Sequence, residues 1–346
     1  MLTILCHITQ CKRLMLKSGM RDSAIAQENV MLKVYISMRS ILLHFRQVFS
    51  LPSRSAAKVV GATLMLSLLV AGGMIFAQSR AVKAFEGEGA GSVSDPYQIT
   101  YCSELQAIND HPDAHFVLTQ DINCDYSRNL NNNTGFLPIT GKNGTGFTGV
   151  LDGRNHTITD LYIDSIDVAN GIGLFAKIDT GGVVKNVSFS QSNSSYLLIK
   201  SSSEKGSMLT GVVAGSNYGT IENVSSSQDV KGYGYTGGLV GINYGSIRRS
   251  AMKSRVAYGS TQTSNVLAYG QKTGTTNVTG GLVGYNVGTI TDSYADTRVE
   301  VFDAENGNVF NYCGGLVGGY NGGSISNSYS EGTIHCKGYG STRTGI

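Results

Sequence analysis

Two short segments hold acidic and basic residues close enough together for polysaccharide cleavage, which needs clustered carboxylates beside a cation. They contain Asp152, Arg154 and His156 in LDGRNHTI, and Asp292, Asp296 and Arg298 in TDSYADTRVE. A related segment holds Arg248 and Lys253 at similar places to the second set, as is typical of a solvated surface. The first segment is more typical of a tight turn between strands. We therefore expect no catalytic residue, with a polysaccharide lyase or hydrolase as the alternative.

The sequence predicts neither a metal site nor a cofactor site. None of its six histidines is followed by glutamate, so the zinc-binding helix motif of metallopeptidases is absent. Cys6 and Cys11 are closely spaced, but no paired ligands accompany them.

Four cysteines follow residue 84, namely Cys102, Cys124, Cys313 and Cys336. The members of each successive pair are separated by close to the length of one repeat, as described below. Neighbouring parallel strands lie about 4.8 Å apart, which is within the Cα range of a disulfide. Disulfides Cys102–Cys124 and Cys313–Cys336 are feasible in an exported chain. Small buried thiols are the other interpretation.

Tyrosines recur in the second half of the chain, and their rings could stack on sugars. The candidates for ligand contact are Tyr244, Tyr285 and Tyr320. Tyrosine is also favoured in strands, so a purely structural role is the alternative.

Most of these residues lie in or near copies of one glycine-rich sequence repeat. The copies are TGVVAGSNYGTI from Thr210, TGGLVGINYGSI from Thr236, TGGLVGYNVGTI from Thr279 and CGGLVGGYNGGSI from Cys313, with a looser copy from Gly171. Alternating apolar residues predict short strands with one buried face, and the Asn-Tyr-Gly piece predicts a turn with glycine at positive φ. A single copy cannot bury its apolar face, so stacked copies are expected to form a parallel solenoid.

Two further patterns fit stacked copies. Asparagine recurs at one corner, where side-chain amides could bond along the stack; these residues are Asn217, Asn243, Asn286 and Asn321. The largest insertion between copies, Ser260–Asn277, has the polar composition of a surface loop. The chain has 45 Gly and only 15% charged residues, which favours strands and turns over helices. Nothing in the repeats resembles a phosphate-binding patch, so no nucleic-acid partner is expected.

The sequence pattern GGLVGxNxGxIxxSY at Gly280–Tyr294 resembles the GLUG motif of bacterial surface proteins. These include filamentous-haemagglutinin-like adhesins and the non-catalytic N-terminal regions of some immunoglobulin-A-cleaving metallopeptidases. The stretch DPYQITYCSELQAIND, with FTGVLDGRNHTITDLYI, is similar to the segment that opens such regions. The resemblance covers roughly residues 86–346 and implies an architecture, because the motif carries no catalytic residues.

The predicted fold is all-β, a right-handed parallel β-helix solenoid with an N-terminal cap, preceded by a signal or membrane-anchor helix. Residues 85–165 would form the cap and first coils, with a helical lid at Ser103–Asp110 capped by Ser103. Residues 166–346 would form the GLUG-type repeat β-helix, expected to be truncated at its C-terminus.

The N-terminal part has the features of an export signal. Residues 1–58 are a basic segment whose start codon we expect to be misassigned, with Met38 as a better start. Residues 59–84 contain the uncharged apolar run Val59–Ala77, which predicts a signal peptide or a transmembrane anchor. The positive flank predicts export of everything after residue 84.

The function expected from these features is that of an exported, non-catalytic scaffold for adhesin-like binding or display. It would be secreted or held at the cell surface or outer membrane of a bacterium, with membrane contact only through residues 59–77. Its partner would be a host or environmental glycan or a surface protein. A non-catalytic stalk of a larger secreted peptidase is a further alternative.

Overall fold

The computed structural model describes residues 85–141, 144–165, 171–192, 199–201, 208–253, 265–269, 276–302, 310–319, 321–336 and 342–345. They belong to the second of two compact units, Val82–Ile346. The basic segment, the apolar run Val59–Ala77, Cys6 and Cys11 lie outside these ranges. Within the ranges, no helix combines the length and the apolar composition needed to cross a membrane.

The described residues are mostly β-strands in three sheets, and every pairing between the strands is parallel. The large sheet contains β1 Tyr97–Ile99, β2 His115–Leu118, β3 Ile122–Asn123, β4 Val150–Asp152, β5 Thr157–Thr159, β6 Ile163–Ser165, β8 Val183–Ser190, β9 Ile199–Ser201, β12 Thr220–Ser226, β13 Val230–Gly232, β16 Ser246–Arg248, β17 Ala251–Met252, β18 Asn265–Tyr269, β21 Thr289–Thr291, β22 Tyr294–Phe302, β24 Ser324–Ser326 and β25 Tyr329–Cys336. The prediction of an all-β fold is confirmed at this level.

The two smaller sheets contain only strands from Phe175 onward. The four-stranded sheet contains β7 Phe175–Ile178, β11 Ala214–Asn217, β15 Val240–Asn243 and β20 Val283–Asn286. The five-stranded sheet contains β10 Leu209–Thr210, β14 Tyr235–Gly237, β19 Thr276–Gly280, β23 Phe310–Gly314 and β26 Thr342–Gly345. The copies that begin at Thr210, Thr236 and Thr279 therefore each give one strand to the five-stranded sheet, one to the four-stranded sheet and then one or more to the large sheet. The copy from Cys313 meets the four-stranded sheet only through the isolated bridges Val283–Val317 and Asn286–Asn321.

The copies pair position by position. Val240 of one copy lies between Ala214 and Val283 of its neighbours, and Ile247 lies between Ile221 and Ile290. All six of these side chains are fully buried. Such columns exist because alternation along each strand sends every second side chain to the same buried face.

The turn glycines are needed for close approach of two backbones. Gly245 and Gly288 are not among the residues with positive φ, so the expectation of a left-handed glycine is wrong. A Cβ on Gly288 would collide with the carbonyl oxygen of Gly245 in the preceding copy, and one on Gly245 with that of Gly219. The physical reason for glycine is therefore the tight stacking of successive turns.

A short helix lies near the start of the described residues, as predicted, but with a different start. Helix α1 spans Cys102–Ala107 and continues as a 3-10 turn at Ile108–Asp110; a second 3-10 turn spans Asp125–Asn129. The N-cap of helix α1 is Tyr101, and the Glu104 carboxylate accepts hydrogen bonds from the backbone N–H groups of Thr100 and Tyr101. Leu105 is fully buried, as expected for a lid.

The described parts of the insertion Ser260–Asn277 form strands and not a loop. Its middle forms β18, which pairs with β13 and β22, and its last residues begin β19. Val266 is fully buried between Val230 and Val299. The polar insertion contains the apolar pair Val266–Leu267. This pair lies in a strand because β13 and β22 provide pairing partners on both sides.

Candidate functional site

A ladder of asparagine side chains runs along the four-stranded sheet, as the sequence predicted. Asn217 donates from Nδ2 to Oδ1 of Asn243 at 2.8 Å, and Asn243 donates in the same way to Asn286 at 2.8 Å. Asn286 donates to Asn321 at 2.6 Å. The first three residues have no exposed surface, so the ladder satisfies polar groups that would otherwise be costly to bury.

A second column of residues forms a corner of the large sheet, where the backbone turns between two strand segments. Its members have φ between 47° and 53°, the left-handed region that asparagine and aspartate tolerate best; they are Asn186, Asn223, Arg249, Asp292 and Asn327. They share one register, because the residues just before them pair across the sheet. We call this set the corner column.

The candidate cluster of Asp292, Asp296 and Arg298 is divided between this corner and a strand. Asp292 belongs to the corner column, and its Oδ1 accepts a hydrogen bond from Asn327 at 3.2 Å. Asp296 and Arg298 lie on the outward face of β22, where Arg298 hydrogen-bonds to Glu300. Asp292 and Arg298 therefore contact different partners.

The candidate cluster of Asp152, Arg154 and His156 forms the turn between β4 and β5, as the sequence indicated. Asp152 accepts hydrogen bonds from the Arg154 N–H at 2.9 Å and from Asn186 at 3.0 Å, with the Lys185 ammonium 3.3 Å away. Burial raises the pKa of Asp152, but these hydrogen bonds and the Lys185 charge outweigh it and lower the pKa below its usual value. Asp152 is therefore ionised at neutral pH.

His156 has a partner that the sequence did not indicate. Its Nδ1 lies 3.3 Å from Oδ1 of Asp121, which also accepts a hydrogen bond from the Thr157 N–H at 2.8 Å. The candidate histidine thus contacts a carboxylate outside its own segment rather than Asp152. Among the described residues, no group of three or more His, Cys, Asp or Glu side chains is arranged to hold a metal ion.

The candidate tyrosines occupy different environments. Tyr244 is 43% exposed, but its ring stacks on Tyr218 with centroids 4.6 Å apart. Tyr218 also lies near Lys177, whose Nζ is 5.2 Å from the ring centroid. Tyr285 is half-buried and meets Tyr235 edge-on. Tyr320 lies outside the described residues.

The cysteines are joined in the pairs that the spacing allowed. Cys102 bonds to Cys124 with Cα atoms 5.3 Å apart, and Cys313 bonds to Cys336 with Cα atoms 6.1 Å apart. The first disulfide ties helix α1 to the start of a 3-10 turn, and the second ties β23 to the end of β25.

An open cleft of about 200 Å³ lies beside the corner column, and nothing in the sequence had indicated it. Its lining comes from the corner, from four strands of the large sheet and from the residue after β17: Asn155, Asn186, Val187, Ser188, Asn223, Val224, Ser225, Arg249, Ala251, Lys253 and Tyr294. We call it the corner cleft. The residues Ser188, Ser225, Ala251 and Tyr294 follow one another in register, so comparing the copies could have revealed the change from small to large side chains.

Tyr294, which lines the corner cleft, is held by a second tyrosine. Its ring stacks on Tyr329, with centroids 5.2 Å apart and planes 5° from parallel. Burial, and then the neighbouring Tyr329 and Asp296, raise the pKa of the Tyr294 phenol above its usual value. Tyr294 therefore remains a neutral hydroxyl group at neutral pH.

Known proteins resemble parts of this chain, although no protein-family model matches it. Halomucin of Haloquadratum walsbyi is 35% identical over 149 residues, which are 41% of this chain and 2% of that protein. A candidate Gly-rich membrane protein of Evansella cellulosilytica is 34% identical over 140 residues, which are 40% of this chain and 15% of that protein. The chain thus matches only a small part of the length of these relatives.

A solved structure also resembles the chain. The crystal structure of a candidate immunoglobulin A1 protease from Bacteroides ovatus has a TM-score of 0.45 and 19% identity, covering 75% of this chain and 80% of that one.

Proposed function

We propose that the three sheets are the faces of one right-handed parallel β-helix, in which each GLUG-type copy forms a turn of the solenoid. Support comes from the copies that begin at Thr210, Thr236 and Thr279, each of which gives strands to the five-stranded, four-stranded and large sheets in the same order. Parallel pairing throughout requires the chain to return to the same side after every turn, and such crossovers are right-handed in nearly all proteins.

We further propose that this β-helix is an exported scaffold for adhesin-like binding or display at the surface of a bacterium. The carrying observation is the matched register of the copies, which presents the same outward positions again on every turn. A surface location is supported by the names of the two relatives, a halomucin and a membrane protein. The partner is a host or environmental glycan or a surface protein, and the membrane is contacted only through residues 59–77.

The scaffold is proposed to be non-catalytic and to need no cofactor. Asp292 and Asp152, the central residues of the two candidate acidic clusters, both bond to other groups of the fold. The pKa of Asp152 is lowered below its usual value, so this carboxyl group is not a proton donor at neutral pH. These contacts support turn and corner roles for both carboxylates.

Protease treatment of intact bacterial cells tests the location. Cells producing the full chain with a tag after Ile346 should lose the tag when protease is added outside, while a cytoplasmic marker survives. The matched control is Leu68→Arg with Leu69→Arg, which interrupts the apolar run and should keep the tag protected inside the cell. Protection of the unaltered chain in intact cells would overturn the proposed location.

A glycan array and a reducing-sugar assay test the activity with the full chain. We expect binding to glycans or to surface proteins of other cells, without release of reducing ends. Turnover that disappears in Asp152→Asn or Asp292→Asn would show an enzyme instead. Binding to neither glycans nor cells would overturn the binding role.

A further inference from the structure

Two tyrosine rings from successive copies lie face to face at the surface. Tyr218 and Tyr244 each follow a ladder asparagine, and these two asparagines are register partners in the four-stranded sheet. The ring centroids are 4.6 Å apart and the ring planes are 9° from parallel. Both residues remain exposed, at 41% and 43%. The copies therefore hold two phenols in contact and leave each of them open to reagents in the solvent.

The two phenols also interact through their hydroxyl groups. Burial, and then the neighbouring Tyr244, raise the pKa of the Tyr218 phenol above its usual value, and a side-chain hydrogen bond with Tyr244 adds to this shift. The Lys177 ammonium acts in the opposite direction but does not cancel the shift. Each Cε atom of a tyrosine ring is bonded to the carbon that carries the hydroxyl. Contact between the hydroxyls therefore also brings Cε atoms of the two rings close together.

The region that contains this tyrosine pair cannot be tied together by disulfides. The two disulfides lie near the start and near the end of the described residues, at Cys102–Cys124 and Cys313–Cys336. No cysteine occurs between residues 124 and 313 of the sequence. The contact between Tyr218 and Tyr244 lies within this interval. A covalent bond there would join two copies that, apart from the backbone, are held together by noncovalent contacts.

We propose that Tyr218 and Tyr244 form an oxidative cross-linking site, at which a haem peroxidase with hydrogen peroxide joins the two rings into dityrosine. Each phenol gives up one electron and its hydroxyl proton, which produces two tyrosyl radicals. The radicals combine to form one carbon–carbon bond between a Cε atom of each ring. The hydrogen on each of these carbons then moves as a proton to the oxygen of the same ring, which restores both hydroxyls. The two electrons and two protons that leave reduce one hydrogen peroxide to two water molecules.

The fold favours this coupling because the reacting groups are already together. Two radicals on separate molecules must meet before either is reduced, whereas stacking holds Tyr218 and Tyr244 in contact beforehand. The rings need only turn from face to face to edge to edge, and their exposure leaves room for this movement. In the other stacked pair, Tyr294 and Tyr329, the centroids are 5.2 Å apart and Tyr294 is half-buried. We therefore expect the link to form mainly between Tyr218 and Tyr244.

Peroxidase treatment of the full chain, followed by peptide mass mapping, tests this site. With hydrogen peroxide present, we expect a linked pair of peptides that contains Tyr218 and Tyr244, has lost the mass of two hydrogen atoms and shows dityrosine fluorescence. The linked fraction should not change when the protein is diluted, because both rings belong to one chain. Peroxidase without hydrogen peroxide should give no link, and Tyr294 and Tyr329 should be linked to a smaller fraction.

The variants Tyr218→Phe and Tyr244→Phe, made separately, show whether these two phenols react. Phenylalanine keeps the ring for stacking but lacks the hydroxyl from which the radical forms, so each variant should lose this link completely. Tyr126→Phe is the matched control, because Tyr126 is exposed to a similar extent, at 45%. This control should give the same linked fraction as the unaltered chain. If one of the two phenylalanine variants does not fold, the other still tests the site.

Four results would overturn the assignment. The first is oxidation of other tyrosines without a link between Tyr218 and Tyr244, and the second is a larger linked fraction at Tyr294 and Tyr329. The third is a linked fraction that falls on dilution, and the fourth is unchanged dityrosine fluorescence in either phenylalanine variant. The reaction is carried out on the isolated chain, so its failure would leave the proposed export and binding unaffected.

Discussion

Three threonine side chains in one register column are buried without a hydrogen-bond partner. Thr210, Thr236 and Thr279 pair in sequence across the five-stranded sheet, and within the described part of the chain their hydroxyl oxygens contact no donor or acceptor. A buried hydroxyl without a partner costs about 1–3 kcal/mol. These residues therefore stabilise the stack through their methyl groups and through their preference for strands.

Replacing one of these threonines by valine should not destabilise the protein. We expect Thr236→Val to leave the free energy of unfolding unchanged or to raise it by about 1 kcal/mol, because the unpartnered hydroxyl is removed. Thr119→Val is the control, since its hydroxyl lies 2.9 Å from that of Thr100, and it should lose about 1 kcal/mol. Denaturant unfolding measures both; a loss at Thr236 as large as at Thr119 would contradict the prediction.

The residue-level features that could be predicted are those that repeat in the sequence. The ladder of Asn217, Asn243 and Asn286 was visible because the same residue returns at the same place in each copy. The corner cleft depends on residues that differ between copies, such as Ala251 below Tyr294. The sequence did not show which of these differences lie side by side until the register was known.

The strands and turns of each copy are determined as much by the neighbouring copies as by their own residues. Gly245 and Gly288 approach the backbone of the preceding turn too closely for a side chain. Strand β18 forms in a polar insertion because β13 and β22 flank it. The sequence predicted strands and turns from local preferences, and it went wrong at these two places because contacts between copies are not local.

Alanine at a stacked glycine should be strongly destabilising. In Gly288→Ala the new methyl group would meet the carbonyl oxygen of Gly245, and we expect a loss of about 1–3 kcal/mol, as for an overpacked core. Thr289→Ala, at the next and exposed position, should change stability by less than about 1 kcal/mol. The melting temperatures of the two variants check this prediction, and equal effects would refute it.

At the scale of the whole molecule, the proposed β-helix stacks the copies in the order in which they occur along the chain. The turn residues Tyr218, Tyr244 and Val287 each follow a ladder asparagine, so they should stand one above another in the proposed β-helix. Neighbouring turns are about 4.8 Å apart, and turns two steps apart are separated by about twice that distance.

Engineered cysteines can measure this order. In the pair Tyr218→Cys with Tyr244→Cys the Cα atoms would lie within the range of a disulfide, so we expect oxidation to link them. The pair Tyr218→Cys with Val287→Cys spans two turns and should stay unlinked, because its Cα separation exceeds about 7 Å. Peptide mass mapping distinguishes the two. Efficient linkage of the second pair, or none of the first, would exclude the proposed stacking.

The asparagine ladder also gives the molecule an electrical direction. In every step from Asn217 to Asn321 the amide nitrogen of one residue faces the amide oxygen of the next copy, so the dipoles of the side chains add head to tail. Each dipole polarises the next in a medium from which water is excluded. The amide nitrogen of Asn321 therefore marks the positive end of this chain of dipoles, and Asn243 and Asn286, with a neighbour on each side, are held more firmly than the end members.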